Sequence, residues 1–122
     1  MKRLIEIRSY KLKPGATDSI HRAFVTAALP LLREWGTDVV AFGPSAHEPN
    51  TYFLIRAYAH LDDLQKKQDA FYSSDAWRQG PRESIVSQID SYLNTVLWVS
   101  PAAIGGCPRR PSAIDDLRHL DG

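Results

Sequence analysis

Cysteine is almost missing from this chain, since Cys107 is its single cysteine among 122 residues. A disulfide within the chain is therefore impossible, and a cluster of thiolate metal ligands is excluded with it. The four histidines include no His-x-x-x-His pair, so the common helical zinc motif is also missing. We therefore expect no metal site, and we interpret Cys107, which lies among glycines and prolines, as an incidental thiol.

A strong charge of one sign and long apolar runs are lacking as well. The formal net charge is +1, which argues against nucleic-acid or membrane-surface binding because both need a basic footprint. No apolar run approaches the roughly 20 residues that span a bilayer. Glycine-rich phosphate loops and nucleophile elbows are not found. The first residues predict a strand rather than a signal peptide, so we expect a cytoplasmic protein.

The clearest pattern that is present is the alternation of residues 4–12, Leu-Ile-Glu-Ile-Arg-Ser-Tyr-Lys-Leu. Successive side chains of a strand point to opposite faces of its sheet. Ile5 and Ile7 are therefore predicted to face a core. The other face of this strand then carries the polar residues Glu6, Arg8 and Tyr10.

The segment after this strand predicts a helix that runs to about Trp35, because apolar residues recur there at spacings of three and four. Thr17 or Asp18 could cap its start. Pro30 lies inside the pattern and lacks an N–H, so we expect it to kink the helix without ending it. Gly36 is predicted to end the helix as a left-handed cap.

The rest of the chain repeats the plan of strand and helix. Residues 38–47 predict an edge strand, because Gly-Pro at 43–44 makes its second half irregular. Residues 51–59 form a second alternating strand, and residues 91–99 form the last one. A helix is predicted from Leu61 to about Ser73, with His60 in the unusual role of N-cap. A short helix that holds Trp77 follows it.

This β-α-β-β-α-β order predicts an α+β, ferredoxin-like fold with a four-stranded antiparallel sheet. Right-handed crossovers place both helices on one face, with the first and third strands in the middle. The predicted helix-facing residues are Ile5, Ile7, Phe53, Ile55 and Ala57. The other face of the sheet is predicted to be open. Besides Glu6, Arg8 and Tyr10, it carries Leu54, Arg56, Tyr58, Asn94, Val96 and Trp98. This apolar and aromatic area is too large to leave in water, so we predict a homodimer whose sheets pack face to face.

Several short motifs resemble the NIPSNAP family. Residues 6–15 (Glu-Ile-Arg-Ser-Tyr-Lys-Leu-Lys-Pro-Gly) resemble the opening of the family, and residues 28–32 (Ala-Leu-Pro-Leu-Leu) its first helix. Residues 39–42 (Val-Val-Ala-Phe) resemble its second strand. Residues 56–58 (Arg-Ala-Tyr), Leu61 and residues 75–77 (Asp-Ala-Trp) are similar to later family positions. The resemblance covers about residues 4–100 and implies a dimeric α+β barrel, but the family has no single established reaction.

The chain departs from the family pattern in two places. Ala59 and His60 stand where the family often has Asp or Asn followed by a capping Ser. Residues 101–122 have no recognised counterpart. We therefore divide the chain into a NIPSNAP-like domain at 1–100 and a tail at 101–122. The tail reads as a linker and a short helix, and we expect that helix to pack on the barrel or on the partner subunit.

The polar residues of the predicted open face are the candidates for binding. Arg8 and Arg56, close to Glu6, predict either a clamp for an anion or enolate or a salt-bridge network that fixes the dimer register. Tyr10 and Tyr58 could orient a phenol or carbonyl, or could line the barrel. The predicted ligand-binding set is Glu6, Arg8, Tyr10, Arg56, Asn94 and Trp98.

His47 is the candidate proton shuttle, because imidazole titrates near neutral pH, although a histidine near a hairpin is often just exposed. Tyr58 is the second catalytic candidate. His21 is predicted on the solvated face of the first helix.

Two functions fit this sequence. The first is a cofactor-independent enzyme or binder of a small aromatic or carbonyl-containing molecule, held in a cavity of the dimeric barrel. The second is a non-enzymatic dimeric interaction module whose barrel is filled by its own side chains. A cavity of about 300 Å³ or more lined by Arg8, Tyr58 and His47 would favour the first. A packed interior would favour the second.

Overall fold

The computed structural model describes residues 3–100. Four strands form one antiparallel sheet in the order β2-β3-β1-β4. The strands are β1 (Arg3–Leu12), β2 (Asp38–Pro44), β3 (Thr51–Tyr58) and β4 (Ile89–Val99). The predicted ferredoxin-like class, with the first and third strands central and the second at an edge, is confirmed. Cys107 and the predicted tail helix lie outside the described residues.

The helices lie between these strands along the chain. They are α1 (Thr17–Ala23), a π-helical turn (Phe24–Ala28), α2 (Leu29–Glu34), α3 (Leu61–Ser73), α4 (Asp75–Arg78) and α5 (Arg82–Val86). The first three follow one another without a break and form the first helical segment. No helix within residues 3–100 is long and apolar enough to cross a membrane.

Pro30 is accommodated by the π-helical turn that precedes it. The N–H of Leu29 donates to the carbonyl of Phe24, five residues back, so the helix widens just before the residue that cannot donate. The prediction that the helix continues past Pro30 is confirmed. The predicted caps Thr17 and Asp18 are wrong, since Ala16, which has no side-chain oxygen, occupies the N-cap.

Gly36 ends the first helical segment as predicted. Its φ of 82° is left-handed, and its N–H donates to the carbonyl of Arg33 while that of Thr37 donates to Leu32. These two bonds form a Schellman motif, in which glycine is favoured because a Cβ strains the left-handed conformation.

His60 caps α3, which also confirms a prediction. Its Nδ1 accepts from the N–H of Asp63 at 3.1 Å, and the Asp63 carboxylate accepts from the N–H of Ala59 at 2.9 Å. The pair therefore acts like a capping box, with histidine in the place usually held by Ser or Thr.

The helices cover the opposite face of the sheet from the one predicted. Leu12, Tyr52 and Leu54 belong to the buried core against the helices, so we call their side the covered face. The residues predicted to face the helices instead share the other side, as the pairs Ile5–Ala57 and Ile7–Ile55 require. This bare face carries Ile5, Ile7, Ser9, Phe53, Ile55, Ala57, Leu93 and Leu97. The prediction of strand order was therefore correct, but the prediction of which side chains face the helices was wrong.

β4 extends past the helices at the edge of the sheet. Its residues Tyr92, Asn94, Val96 and Trp98 pair with covered-face positions of β1, yet all four are exposed because α3 packs over β3 instead. Val86 of α5 is exposed as well. A groove is therefore left between β4 and the helices.

Candidate functional site

Glu6 is the centre of a polar cluster beneath α3. Its side chain is fully buried, and its two oxygens accept from four side chains. Oε1 accepts from Nε of Arg56 at 2.6 Å. Oε2 accepts from Gln68 at 2.8 Å, from Asn94 at 3.0 Å and from Nη2 of Arg8 at 3.3 Å. β1, β3, β4 and α3 each contribute to this cluster, which we call the Glu6 cluster.

Arg56 is the inner arginine of the Glu6 cluster. Its Nη1 donates to the hydroxyl of Tyr72 at 2.8 Å. Its Nη2 lies 2.5 Å from Oε1 of Glu6 as an ion pair, although the angles are not those of a hydrogen bond. With its side chain about 1% exposed, Arg56 is occupied by protein partners and cannot touch a ligand from outside.

Charge in the cluster does not balance, since within the described part of the chain it combines two arginines with one carboxylate. Burial raises the pKa of Glu6, but Arg56, Gln68, Arg8 and Asn94 outweigh burial and hold that pKa below its usual value. Glu6 is therefore ionised at neutral pH, and one positive charge remains in excess. Such an excess is costly in a buried site unless an anion or solvent meets it.

Arg8 carries that excess charge to the surface. Its side chain is about 12% exposed, Nε donates to Oδ1 of Asn94 at 3.2 Å, and its Cζ lies 4.6 Å from the ring centroid of Tyr92. It borders a cleft of about 420 Å³, the Arg8 cleft. Other walls of this cleft are Tyr10, Tyr72, Trp77, Asp90 and Tyr92.

Tyr10, which borders the Arg8 cleft, is a neutral phenol at physiological pH. Burial, with a further contribution from Tyr72, raises the pKa of Tyr10 to about 12. Its ring centroid lies 6.1 Å from that of Tyr92. Tyr10 can therefore pack against an aromatic ring and donate a hydrogen bond, but it is a poor base.

His47 and Tyr58, the predicted catalytic pair, are not brought together. His47 is exposed after β2, where its backbone N–H donates to Ser45 Oγ at 3.4 Å, and it borders a second cleft of about 390 Å³, the His47 cleft. Tyr58 is buried, with its hydroxyl accepting from Gln68 at 3.2 Å. Tyr58 borders neither cleft.

The predicted ligand-binding set separates in the same way. Glu6, Arg8, Arg56 and Asn94 meet in one cluster, as described above, and Tyr10 joins the Arg8 cleft. Trp98 pairs with Leu4, six residues along β4 from Tyr92, which is about 20 Å in a strand. It is therefore outside the cleft. The face that was predicted to be open carries the cluster, but the helices cover it.

Sequence reasoning missed the contribution of α3. Gln68 and Tyr72 are four residues apart, so they project from one side of the helix, and both donate or accept within the cluster. Polar side chains at this spacing beside the buried Phe71 are a signal that could have indicated a polar partner beneath the helix.

The environment of His21 also differs from the predicted one. Its Nδ1 lies 2.7 Å from the hydroxyl of the buried Tyr52, and its ring packs 6.3 Å from that of Phe42. It is therefore partly buried and not on a solvated face. Residues 3–100 gather no group of three or more His, Cys, Asp and Glu side chains that could hold a metal ion.

The fold and the cluster together define an α+β protein of the ferredoxin-like class with a charged site between sheet and helix. The NIPSNAP family model matches residues 5–102, and this chain belongs to the NIPSNAP family. Among curated proteins, none matches the chain.

Solved structures of similar fold agree with this assignment. A NIPSNAP family protein of unknown function from Agrobacterium tumefaciens is 22% identical with a TM-score of 0.75, over 81% of this chain and 92% of that one. A NIPSNAP-like domain protein from Burkholderia xenovorans is 17% identical with a TM-score of 0.75, over 89% and 91%. A putative antibiotic biosynthesis monooxygenase from Nitrosomonas europaea is 16% identical with a TM-score of 0.58, over 77% and 95%. At these identities the likeness shows the fold alone.

Proposed function

We propose that this protein binds a small organic anion in the Arg8 cleft. The observation that carries the proposal is the excess positive charge of the Glu6 cluster, which reaches a cleft only through Arg8. A volume of about 420 Å³ lies in the range of about 300–1,000 Å³ that is usual for small-molecule sites. A carboxylate, enolate or polarised carbonyl would offset the charge that Glu6 leaves unpaired.

The walls of the cleft favour a ligand that also has a flat or apolar part. Tyr10, Tyr72 and Tyr92 contribute aromatic rings and hydroxyl groups, and Trp77 adds a further apolar surface. Guanidinium and phenol groups together recognise the polar end of an aromatic or carbonyl-containing molecule by direction as well as by charge. No cofactor is needed for such binding.

An enzymatic role would involve His47, because its cleft adjoins the Arg8 cleft. Tyr10, Ser91 and Tyr92 form walls of both. Proton exchange with the ligand would require His47 to come within hydrogen-bond reach of it, directly or through one water. The fold neighbour from Nitrosomonas europaea, described as a putative monooxygenase, supports catalysis by this type of barrel in general terms.

The alternative is a dimeric interaction module without a ligand. It is favoured by the inner half of the Glu6 cluster, in which Arg56 and Gln68 donate to Glu6 and Arg56 also donates to Tyr72, without any added group. In both proposals a second copy covers the bare face. Its isoleucines, Phe53, Leu93 and Leu97 form an apolar surface that no helix covers in the described chain.

Calorimetric titration with benzoate and with benzamide, its neutral counterpart, tests the binding proposal. Arg8→Met keeps much of the side-chain volume and leaves Glu6 with three donors, so the fold should persist. We expect this change to weaken benzoate binding by about ten- to a hundredfold, which is about 1.5–3 kcal/mol, and to affect benzamide little. Arg33→Met, at an exposed position of α2, is the matched control. Equal benzoate affinity in Arg8→Met and the native protein would refute the proposal.

A further inference from the structure

A small cavity lies inside the core, between the first helical segment and the covered face of the sheet. Its volume is about 30 Å³. Most of the side chains that line it are apolar and come from several helices and strands. They include Ile20, Phe24, Ala28, Leu54 and Phe71. Such a cavity plays no part in binding an anion at Arg8, so it needs a separate explanation.

The core cavity and the Arg8 cleft share their walls. Tyr10, Tyr72, Trp77, Ile85 and Ile89 border both spaces. The two spaces therefore adjoin, and these five side chains form the partition between the charged cleft and the apolar cavity. A rotamer change at Ile89, where β4 begins, is a small motion on the nanosecond scale that could join the two spaces.

Two of the hydroxyl groups on the cavity wall are already engaged, which favours an apolar occupant. The hydroxyl of Tyr52 lies 2.7 Å from Nδ1 of His21, and the hydroxyl of Tyr72 accepts from Arg56. A buried water needs about two to four polar partners. The remaining lining is mostly apolar, and a methylene or methyl group needs no polar partner.

The size of the cavity selects the kind of apolar group. An apolar cavity of about 150 Å³ accommodates benzene, so a cavity of about 30 Å³ does not admit an aromatic ring. It suits the end of an unbranched aliphatic chain. Phe24 and Ala28, both in the π-helical turn, set this limit from the helical side.

We propose that the ligand class of this site is an amphipathic carboxylate with an unbranched aliphatic chain. Its carboxylate lies against Arg8, and the end of its chain enters the core cavity past Tyr10 and Ile89. This inference rests on the proposed function and adds to it the chemical class of the ligand. The tyrosine rings of the cleft pack along the first part of the chain.

The test is a series of straight-chain carboxylates from butanoate to decanoate, titrated calorimetrically into the full-length protein below their micelle-forming concentrations. Each buried methylene should strengthen binding by about fourfold, which is about 0.8 kcal/mol, until the chain fills the cavity. A branched chain of equal carbon number should bind more weakly than the straight one. Affinity that does not change with chain length would overturn the inference.

Two variants examine the path of the chain. Ala28→Leu should fill the cavity, and Ile89→Phe should thicken the partition, so in each the ratio of decanoate to butanoate affinity should fall below the native ratio. Val25→Leu, in the same π-helical turn but with an exposed side chain, is the matched control and should keep the native ratio. Circular dichroism and thermal melting identify a variant that fails to fold. The affinity ratio of the other variant then tests the inference. A native ratio in a folded Ala28→Leu or Ile89→Phe protein would overturn the inference.

Failure of this inference and failure of the proposed function are distinguishable. If Arg8→Met weakens benzoate and every alkanoate alike while chain length has no effect, the anion site stands and the chain pocket is refuted. If Arg8→Met changes neither benzoate nor alkanoate binding, the anion site itself is refuted, and the chain pocket falls with it.

Discussion

At the scale of single residues, one buried carboxylate organises the site. Glu6 accepts from four donors and holds two arginines under α3. The arginines differ in what they can do, since Arg56 is enclosed by protein while Arg8 reaches a cleft. The two hypotheses for this cluster therefore apply to different residues. Arg56 suits the structural salt bridge, and Arg8 suits the anion clamp.

Glu6→Gln should be strongly destabilising. The amide carries no charge, so Arg56 would be left buried without a counter-ion, which costs about 3–5 kcal/mol when a buried pair is broken. Denaturant unfolding measures this free energy. Asp38→Asn breaks the exposed pair with Arg3 and should cost at most about 1 kcal/mol. Similar losses in both variants would show that the Glu6 cluster contributes no more than a surface pair.

Acid stability should depend on Glu6 with a definite sign. The pKa of Glu6 is lowered in the folded protein from its usual 4.5, so its ionised form stabilises the fold fully above about pH 4.5. That contribution disappears as the pH falls through the lower, folded-state value. The difference in unfolding free energy between the native protein and Glu6→Gln should therefore shrink on acidification below pH 4.5. A difference that stays constant from pH 7 to pH 3 would contradict this prediction.

At the scale of helices and strands, local side-chain and backbone hydrogen bonds decide where a helix begins and how it continues past a proline. The first helical segment continues past Pro30, and a π-helical turn, in which the N–H of Leu29 donates to the carbonyl of Phe24, directly precedes the proline. The same turn places Phe24 and Ala28 at the core cavity. α3 begins with a histidine because its Nδ1 can accept the bond that a serine oxygen usually accepts.

Removing the α3 cap should destabilise the protein moderately. His60→Ala loses the acceptor for the N–H of Asp63 and should cost about 0.5–2 kcal/mol, whereas His60→Asp should retain or exceed native stability. Thermal melting compares the two variants. His47→Ala, at another exposed histidine, is the control and should melt like the native protein. If His60→Ala does so as well, the cap does not contribute to stability.

At the scale of the whole molecule, the position of the helices changes which surface is free to associate. The predicted open face is covered by helices, and the bare face is the apolar one that carries Ile5, Ile7 and Phe53. The prediction of a homodimer therefore stays, but the residues that would form the interface are different. Leu54, on which the original expectation relied, belongs to the core.

Two aspartate substitutions, one on β1 and one on β3, test which face of the sheet forms the dimer interface and which forms the core. Ile7→Asp, on the bare face, should produce a monomer that keeps its helical circular dichroism, because a carboxylate cannot be buried unpaired between two sheets. Leu54→Asp, on the covered face, should unfold the chain instead. Sedimentation gives the mass and circular dichroism the fold. Sedimentation of the native protein as a monomer at micromolar concentration would contradict the dimer.

Much of the fold could be predicted from the sequence because it depends on local patterns. Alternation identifies the residues that share a face of β1 and β3, the spacing of apolar residues predicts the helices, and Gly36 marks a helix end. The meeting of Glu6, Arg8, Arg56 and Asn94 also follows from alternation and strand order. These features involve neighbours along the chain or residues opposite each other in adjacent strands.

The covered side of the sheet was decided only by the tertiary structure. Both faces of β1 and β3 carry apolar residues, so alternation fits either side equally well, and a change of one residue in phase exchanges them. The polar residues of β1 and β3 could be buried because α3 brings Gln68 and Tyr72 to Glu6 and Arg56. A buried charge is tolerated only where such partners surround it. Those partners are distant in sequence, so packing placed the site under the helices.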